Sequence, residues 1–272
     1  MTVRAPGALA RSADTFRLAV RVAVLSVRIP RHPDGLWDNF WSGVSAGSLR
    51  EAIIWEATRE DEMDQHLERA ANLLDTGLAV VDIGCGAGAI SRRLAGVFPA
   101  VVGADVSPAA VAAARSATTA MPHVTFMVLD ATDPEAVAAL ALEFGEVNVF
   151  VRGVFHVLSP RRQAALARAI QPLLGNHGRI YLVETNVSGG VLNYLRGLGA
   201  TGRGIPGPLR QAIAALPKPG HFGAPQRRRV FPARGWTVLA EGATTLETAP
   251  MQVDGPGVVI PAYWAALGRR QE

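Results

Sequence analysis

Cys85 is the only cysteine in the chain. A lone thiol excludes an intramolecular disulfide framework and any multi-cysteine zinc site. Lysine is equally scarce. Lys218 stands alone, so all but one of the 27 basic residues are arginine. Together with the richness in Ala, Gly and Val, this skew reads as coding bias and not as function. There is no run of 18 apolar residues, so no spanning helix is expected. Residues 16–29 come nearest, but Arg21 interrupts them and no small-residue cleavage site follows. A signal peptide is therefore not expected, and the cytoplasm is the expected compartment. A broad basic field is missing too. The net charge is +4, and residues 1–36, with six arginines against two acids, carry all of it. Arg227, Arg228 and Arg229 form the only other dense cluster. Nucleic-acid binding, which wants a basic stripe on the folded domain, is not expected.

What the chain does have is apolar bulk. Of its 272 residues 49% are hydrophobic and 18% charged, enough for a full core in one large domain with a cap. Residues 15–29 fit helix or strand. As a helix they place Arg17, Arg21 and Arg28 on one face, which suits packing on the chain's own domain or on a second copy, as in a homodimer. Peripheral contact with a membrane surface is the less favoured use. Pro30 to Gly35 breaks the pattern. A helical region is expected from about Ser48 to Leu74, with Met63, Leu67, Ala70, Ala71 and Leu74 at helical spacing. Glu60, Asp61, Glu62, Asp64 and Glu68 occupy its other side. With no histidine or second cluster to complete a metal shell, they read as a solvated face.

From Leu78 strands alternate with helices. Apolar strands are expected at 78–83, 100–104, 124–129, 147–151 and 179–183. Helices open at Ser107-Pro108, Asp133-Pro134 and Ser159-Pro160, each a capping side chain followed by proline at the first helical position. Such alternation means right-handed βαβ units and a parallel sheet. Residues 186–230 read as irregular, with one short helix near Leu209–Leu216, and suit a lid or substrate segment. Strands at 236–246 and 258–267 then close the sheet as an antiparallel pair. The expected division is an N-terminal arm and helical cap over 1–75 and a ligand-binding core over 76–272.

The loop after the first strand, Asp82-Ile83-Gly84-Cys85-Gly86-Ala87-Gly88, lets a ligand approach bare backbone at a helix N-terminus. Its glycines also fit a dinucleotide pattern, and Asp105 stands where a ribose-binding acid belongs in either case. An NAD(P)-dependent oxidoreductase therefore competes. Asp82 beside the loop suits a cationic amine better than a pyrophosphate. Asp130, ending the third strand, suits an adenine amino group.

The segments VVDIGCGAGAISRRLA (80–95), VVGADVSPAAVAAAR (101–115), FMVLDAT (126–132), VNVFVRGVFHVLSP (147–160) and GRIYLVE (178–184) together resemble the class I S-adenosylmethionine-dependent methyltransferases. The resemblance spans roughly residues 50–267. It implies a doubly wound, mostly parallel seven-stranded sheet whose last strand is antiparallel, with S-adenosylmethionine as cofactor. It implies that Asp82, Gly84, Gly86 and Gly88 line the methionine part, with Cys85 a small filler whose backbone matters. It puts Asp105 on the ribose, Val106 against adenine, and Asp130 and Ala131 at the adenine amino group. A non-catalytic S-adenosylmethionine-binding protein is a further alternative.

Methyl transfer is an in-line displacement that needs alignment and dryness, helped by a base where the acceptor is a hydroxyl. His156, after the fourth strand, is the candidate base. Arg152 and Glu184 at strand ends are candidates for substrate contact or catalysis. Trp37, Trp41 and Trp55 are candidates to line an apolar acceptor pocket. No two histidines make a metal-ligand pair, so no metal is expected. The expected substrate is a small hydrophobic or aromatic metabolite, as in secondary metabolism. O-methylation is favoured over N- or C-methylation.

Overall fold

Val80, Val81, Asp82 and Ile83 are all buried, which is what a strand covered on both faces requires. The computed structural model describes residues 8–26, 35–47, 53–55, 60–251 and 257–270. Before that strand come three helices, α1 (Ala8–Ser26), α2 (Leu36–Ser45) and α3 (Glu60–Leu73). Then β1 (Val80–Ile83), α4 (Ala89–Leu94), β2 (Val101–Asp105), α5 (Pro108–Ser116), β3 (Val124–Val128), α6 (Pro134–Phe144) and β4 (Asn148–Arg152) alternate. They are followed by α7 (Pro160–Ile170), β5 (Arg179–Thr185), α8 (Gly190–Gly197), α9 (Gly207–Ala215), α10 (Ala224–Val230), β6 (Trp236–Pro250) and β7 (Gly257–Arg269).

The seven strands lie in the order β3-β2-β1-β4-β5-β7-β6. Strands β1 to β5 are parallel, and β7 runs antiparallel to both β5 and β6. This is the doubly wound, Rossmann-like sheet expected from the alternation. The caps form as expected. Ser107 Oγ accepts from Ala110 N, Asp133 from Glu135 N and Ser159 Oγ from Arg162 N, each ahead of a proline.

One face of the sheet is covered by α1 to α5, α8 and α9, the other by α6, α7 and α10. Helix α1 resolves the helix-or-strand ambiguity. Its Leu18 and Val22 are buried, and it packs against α8 and α9. Arg17 and Arg21 are exposed, while Arg28 and most of the Pro30–Gly35 breaker lie outside the described residues. The long helix expected over 48–74 is confined to α3, because Ile54 and Trp55 form a turn; 48–52 and 56–59 lie outside the described residues. Met63, Ala70 and Leu74 are buried as the spacing predicts.

Two expectations need correction. The segment 186–230 holds three helices, not one. Gly189 and Gly190 at positive φ and prolines in the first turns of α9 and α10 delimit helices too short to show clear periodicity. Glu62 is not on a solvated face. Its side chain is 10% exposed and pairs with Arg152 Nη2 at 3.0 Å, while also accepting Glu247 N at 2.7 Å. The α3 helix is thus tied to the ends of β4 and β6.

Gly103 in β2 exists for closeness. A Cβ there would stand 2.4 Å from Phe126 Cδ1 and 2.9 Å from Ser91 Oγ. Gly103→Ala is expected to cost about 1–3 kcal/mol by overpacking. Combined with Phe126→Leu, it should cost less than the sum of the two single changes in denaturant melts. Strict additivity would show that the ring and the glycine are not coupled.

Candidate active site

The carboxyl ends of β1, β2, β4 and β5 face a cavity of about 740 Å³ that runs from the glycine loop to the helical cap. That size is typical of a ligand site, roughly 300–1,000 Å³. Gly84 and Gly86 adopt φ of 77° and 53°, a left-handed conformation that favours glycine. A Cβ on Gly84 would meet Val154 Cγ2 at 2.5 Å, and one on Gly86 would meet Trp41 Cζ2 at 2.8 Å. The loop therefore presents bare backbone to the cavity while the cap packs directly on it. Cys85 is buried and its Sγ points to Gly86 O. Burial pushes the thiol well up, so it stays protonated and is no nucleophile.

Asp105, Val106, Asp130 and Ala131 all line the cavity. Asp105 accepts from Gly86 N and Ser107 N, both at 2.9 Å, which ties the end of β2 to the glycine loop. Burial raises its pKa against these backbone bonds. Asp130 is more open. Burial pushes its carboxyl up, but the Thr132 hydroxyl and amide and the Arg162 guanidinium outweigh that and hold it below the usual carboxylate range. Arg162 Nη2 lies 2.8 Å from its Oδ2. Asp82 and Gly88 stand behind the loop and are not among the cavity-lining residues. Asp82 accepts Ser91 Oγ at 2.6 Å, and a Cβ on Gly88 would strike Phe126.

The other half of the cavity is apolar. Trp37, Trp41 and Trp55 line it together with residues of α8 and α9. The same tryptophans pack on one another and on Phe40 at 5.3–6.3 Å between rings, mostly edge to face. They form a satellite core and the cavity wall at once. Lys218, the single lysine, also lines the cavity.

His156 also lines the cavity. Glu184 is fully buried and accepts Val154 N, Phe155 N and His156 N at 2.8–3.1 Å. Three backbone donors on a carboxylate leave it only to accept, so His156 Nδ1, at 2.7 Å, donates the fourth bond. In the neutral ring Nε2 is then the acceptor nitrogen. Arg152 lines the cavity, whereas Glu184 is not among its lining residues and bonds His156, which is. Arg152 is committed through Nη1 to Trp55 O and through Nη2 to Glu62, so it is not free to anchor an acidic group. Both placements depend on long-range partners that local sequence does not reveal.

Sequence reasoning missed Asp38 and Glu62. Asp38, on α2, accepts Ser107 Oγ and Ala109 N at 2.8 and 2.9 Å and so docks the cap on the N-terminus of α5. Neither acid stands in a local motif that marks it. No group of three or more potential metal ligands occurs among the described residues.

Burial lifts Asp82 from an ordinary 3.8 to about 7, with Ser91 opposing and Asp105 adding to the rise. The stability of the neutral form is complete below 3.8 and is lost as pH rises through about 7. Asp82→Asn stays neutral and still accepts the Ser91 bond. In cofactor-free protein its melting temperature should gain on the native one from about pH 4 to about pH 8. A constant difference would refute the burial of an ionising carboxyl.

Residues 80–178 match a family model described as a methyltransferase domain. Among solved structures, an S-adenosylmethionine-dependent methyltransferase from Anabaena variabilis ATCC 29413 is 26% identical, with 89% of this chain and 96% of that one covered and a TM-score of 0.78. A protein whose structure concerns conversion of a disulfide bond into a thioacetal group during echinomycin biosynthesis is 23% identical, covers 86% and 93%, and has a TM-score of 0.62. Magnesium protoporphyrin IX methyltransferase from Synechocystis PCC 6803, with bound SAH, shares the fold at 16% identity, 88% and 100% coverage and a TM-score of 0.55. No curated protein matches the chain. The dehydrogenase reading of the glycine loop falls away: residues 80–178 are a methyltransferase domain, and the chain is an S-adenosylmethionine-dependent methyltransferase consistent with class I, with S-adenosylmethionine as its cofactor.

Proposed function

We propose that this methyltransferase acts on a hydroxyl of a small, apolar and aromatic metabolite, with His156 as the base. The observation that carries the reading is the His156–Glu184 pair on the wall of a cavity whose far half is lined by tryptophans and aliphatic side chains. The cofactor supplies a methyl group already activated on a sulfonium. The residues suited to hold it are Gly84, Cys85 and Gly86 through their backbone, Asp105 at the ribose, Val106 on the adenine face, and Asp130 with Ala131 at the adenine edge. Asp82 and Gly88 would support the methionine end from behind the loop.

The chain's own part is positioning and proton removal. Glu184 holds the imidazole by Nδ1, so that in the neutral ring Nε2 is the nitrogen able to accept the proton of the acceptor hydroxyl. Trp37, Trp41 and Trp55 would flank a flat acceptor and exclude water. Arg152 would serve the cap and the acceptor pocket, and it takes no proton.

Two expectations test this. Asp105→Ala removes a charged acceptor of two backbone bonds and should weaken S-adenosylhomocysteine binding by about 1.5–3 kcal/mol in calorimetry. Unchanged affinity would sink the ribose assignment. In a labelled-methyl screen of hydroxyaromatic acceptors, His156→Asn should lower kcat roughly 100-fold or more with cofactor affinity intact. Equal turnover by both proteins would remove His156 as the base.

A further inference from the structure

Packing on α8 and α9 uses only one side of α1. Leu18 and Val22 are buried there, whereas Phe16, Val20 and Val24 are 71%, 47% and 67% exposed. A spacing of four puts these three in one row, and an offset of two puts Leu18 and Val22 on the opposite side. Single exposed apolar residues are ordinary, but a continuous row marks a contact surface. The row is edged with positive charge. Arg17 and Arg21 each stand one position after an apolar member of it and are exposed. With Phe16, Val20 and Gly202 they line one shallow groove. Arg21 Nε donates to Gly202 O at 3.1 Å, and Arg203, the next residue, is exposed. The only acid of α1, Asp14, is already occupied: it accepts Gly202 N at 2.8 Å and pairs with Arg196. Residues 186–220, which include α8 and α9, hold three arginines, the single lysine and no acid.

That combination selects its partner by chemistry. An apolar row edged by arginines fits the boundary between anionic headgroups and acyl chains. A second copy fits poorly. A two-fold interface through this face would set Arg17, Arg21 and Arg203 against the same arginines of the other copy. Three apolar side chains also fall well short of the roughly 20–30 residues a side that a stable interface uses. A nucleic acid would take the arginines but leave the apolar row in water. Among the described residues no helix is long and apolar enough to cross a bilayer. We propose that α1 docks this face on an anionic lipid surface, with its axis in the plane of the headgroups. Phe16, Val20 and Val24 turn toward the acyl chains, and Arg17, Arg21 and Arg203 meet lipid phosphates. The inner side of the same cap lines the cavity through Val22 of α1, Leu195 of α8 and Leu209 of α9. Docking thus holds the apolar half of the cavity about one helix thickness, roughly 10 Å, from the lipid, the phase into which an apolar acceptor partitions.

The test is flotation of the full chain with vesicles of phosphatidylcholine, alone or mixed with an equal part of phosphatidylglycerol. The protein should float with the mixed vesicles far more than with the neutral ones, and less as salt rises. Phe16→Ser combined with Val20→Ser keeps every charge and should lower partitioning by roughly tenfold or more. Arg17→Gln and Arg203→Gln should each lower it about fivefold. Unchanged affinity for S-adenosylhomocysteine in calorimetry shows that a variant keeps its fold. Should the double variant lose that affinity, Val24→Ser repeats the apolar test with one exposed change. Absence of flotation with the mixed vesicles overturns the proposal. So does equal flotation of the folded serine variant, the mark of diffuse charge attraction alone. Displacement from the vesicles by an equal charge of duplex DNA would assign the face to nucleic acid, and a native dimer in sedimentation that the serine changes turn into a monomer would assign it to a second copy; either result overturns docking. Vesicle binding needs no acceptor. Failure of the hydroxyl-acceptor reading would leave docking standing, and failure of docking would leave methyl transfer standing.

Discussion

Asp105 is the carboxylate around which the site is built. Its two oxygens take the amides of Gly86 and Ser107, so the glycine loop after β1 and the start of α5 after β2 share one anchor. A carboxylate that is 8% exposed is costly to bury unless such donors meet it. The same Ser107 receives the cap, because its hydroxyl donates to Asp38 of α2. Loop, sheet and cap are thereby fixed relative to one another through three side chains, and the cavity between them inherits its shape.

A second tie lies across the cavity. Arg152 and Glu62 join the end of β4 to α3, and Glu62 extends the tie to β6 through Glu247 N. Beside it, His66 is buried and bonds Tyr181 Oη through Nδ1 at 2.8 Å. Burial, then the positive charges of Arg152 and Arg69, lower its pKa to about 3, so it stays neutral. Tyr181 in turn stacks between Phe150 and Trp264. Polar groups here do for the cap what apolar side chains do for the sheet. They also set the register of α3, since shifting it by one residue would leave an arginine buried without its acid.

The site therefore divides by chemistry. One half of the cavity is built from backbone amides and strand-end carboxylates, and the other from tryptophans, aliphatic side chains, Arg152, Thr185 and one histidine held by one buried acid. Glu184 is central to the second half. It takes three amides of the turn after β4 and the imidazole of His156, so the turn and the ring are oriented together.

Sequence alone determined the parallel core. Strand and helix periods and the Ser107, Asp133 and Ser159 caps are local signals, set by backbone sterics and by which residues must be buried, and they led to the right sheet; the glycine loop alone fitted a dinucleotide as well, and the cofactor came from Asp82, Asp105 and Asp130 and from the resemblance of the combined motifs. The tertiary structure decided what was not local. Glu62 reads as one more acid on a polar helix face until Arg152, 90 residues away, is brought against it. Glu184 reads as a strand-end acid open to substrate until the β4 turn closes over it. Three short helices replace an apparently irregular 186–230, because their stability comes from packing on α1 and the sheet and not from their own periodicity. A charged side chain's role is set by its partner, and partners distant in sequence meet only in the fold.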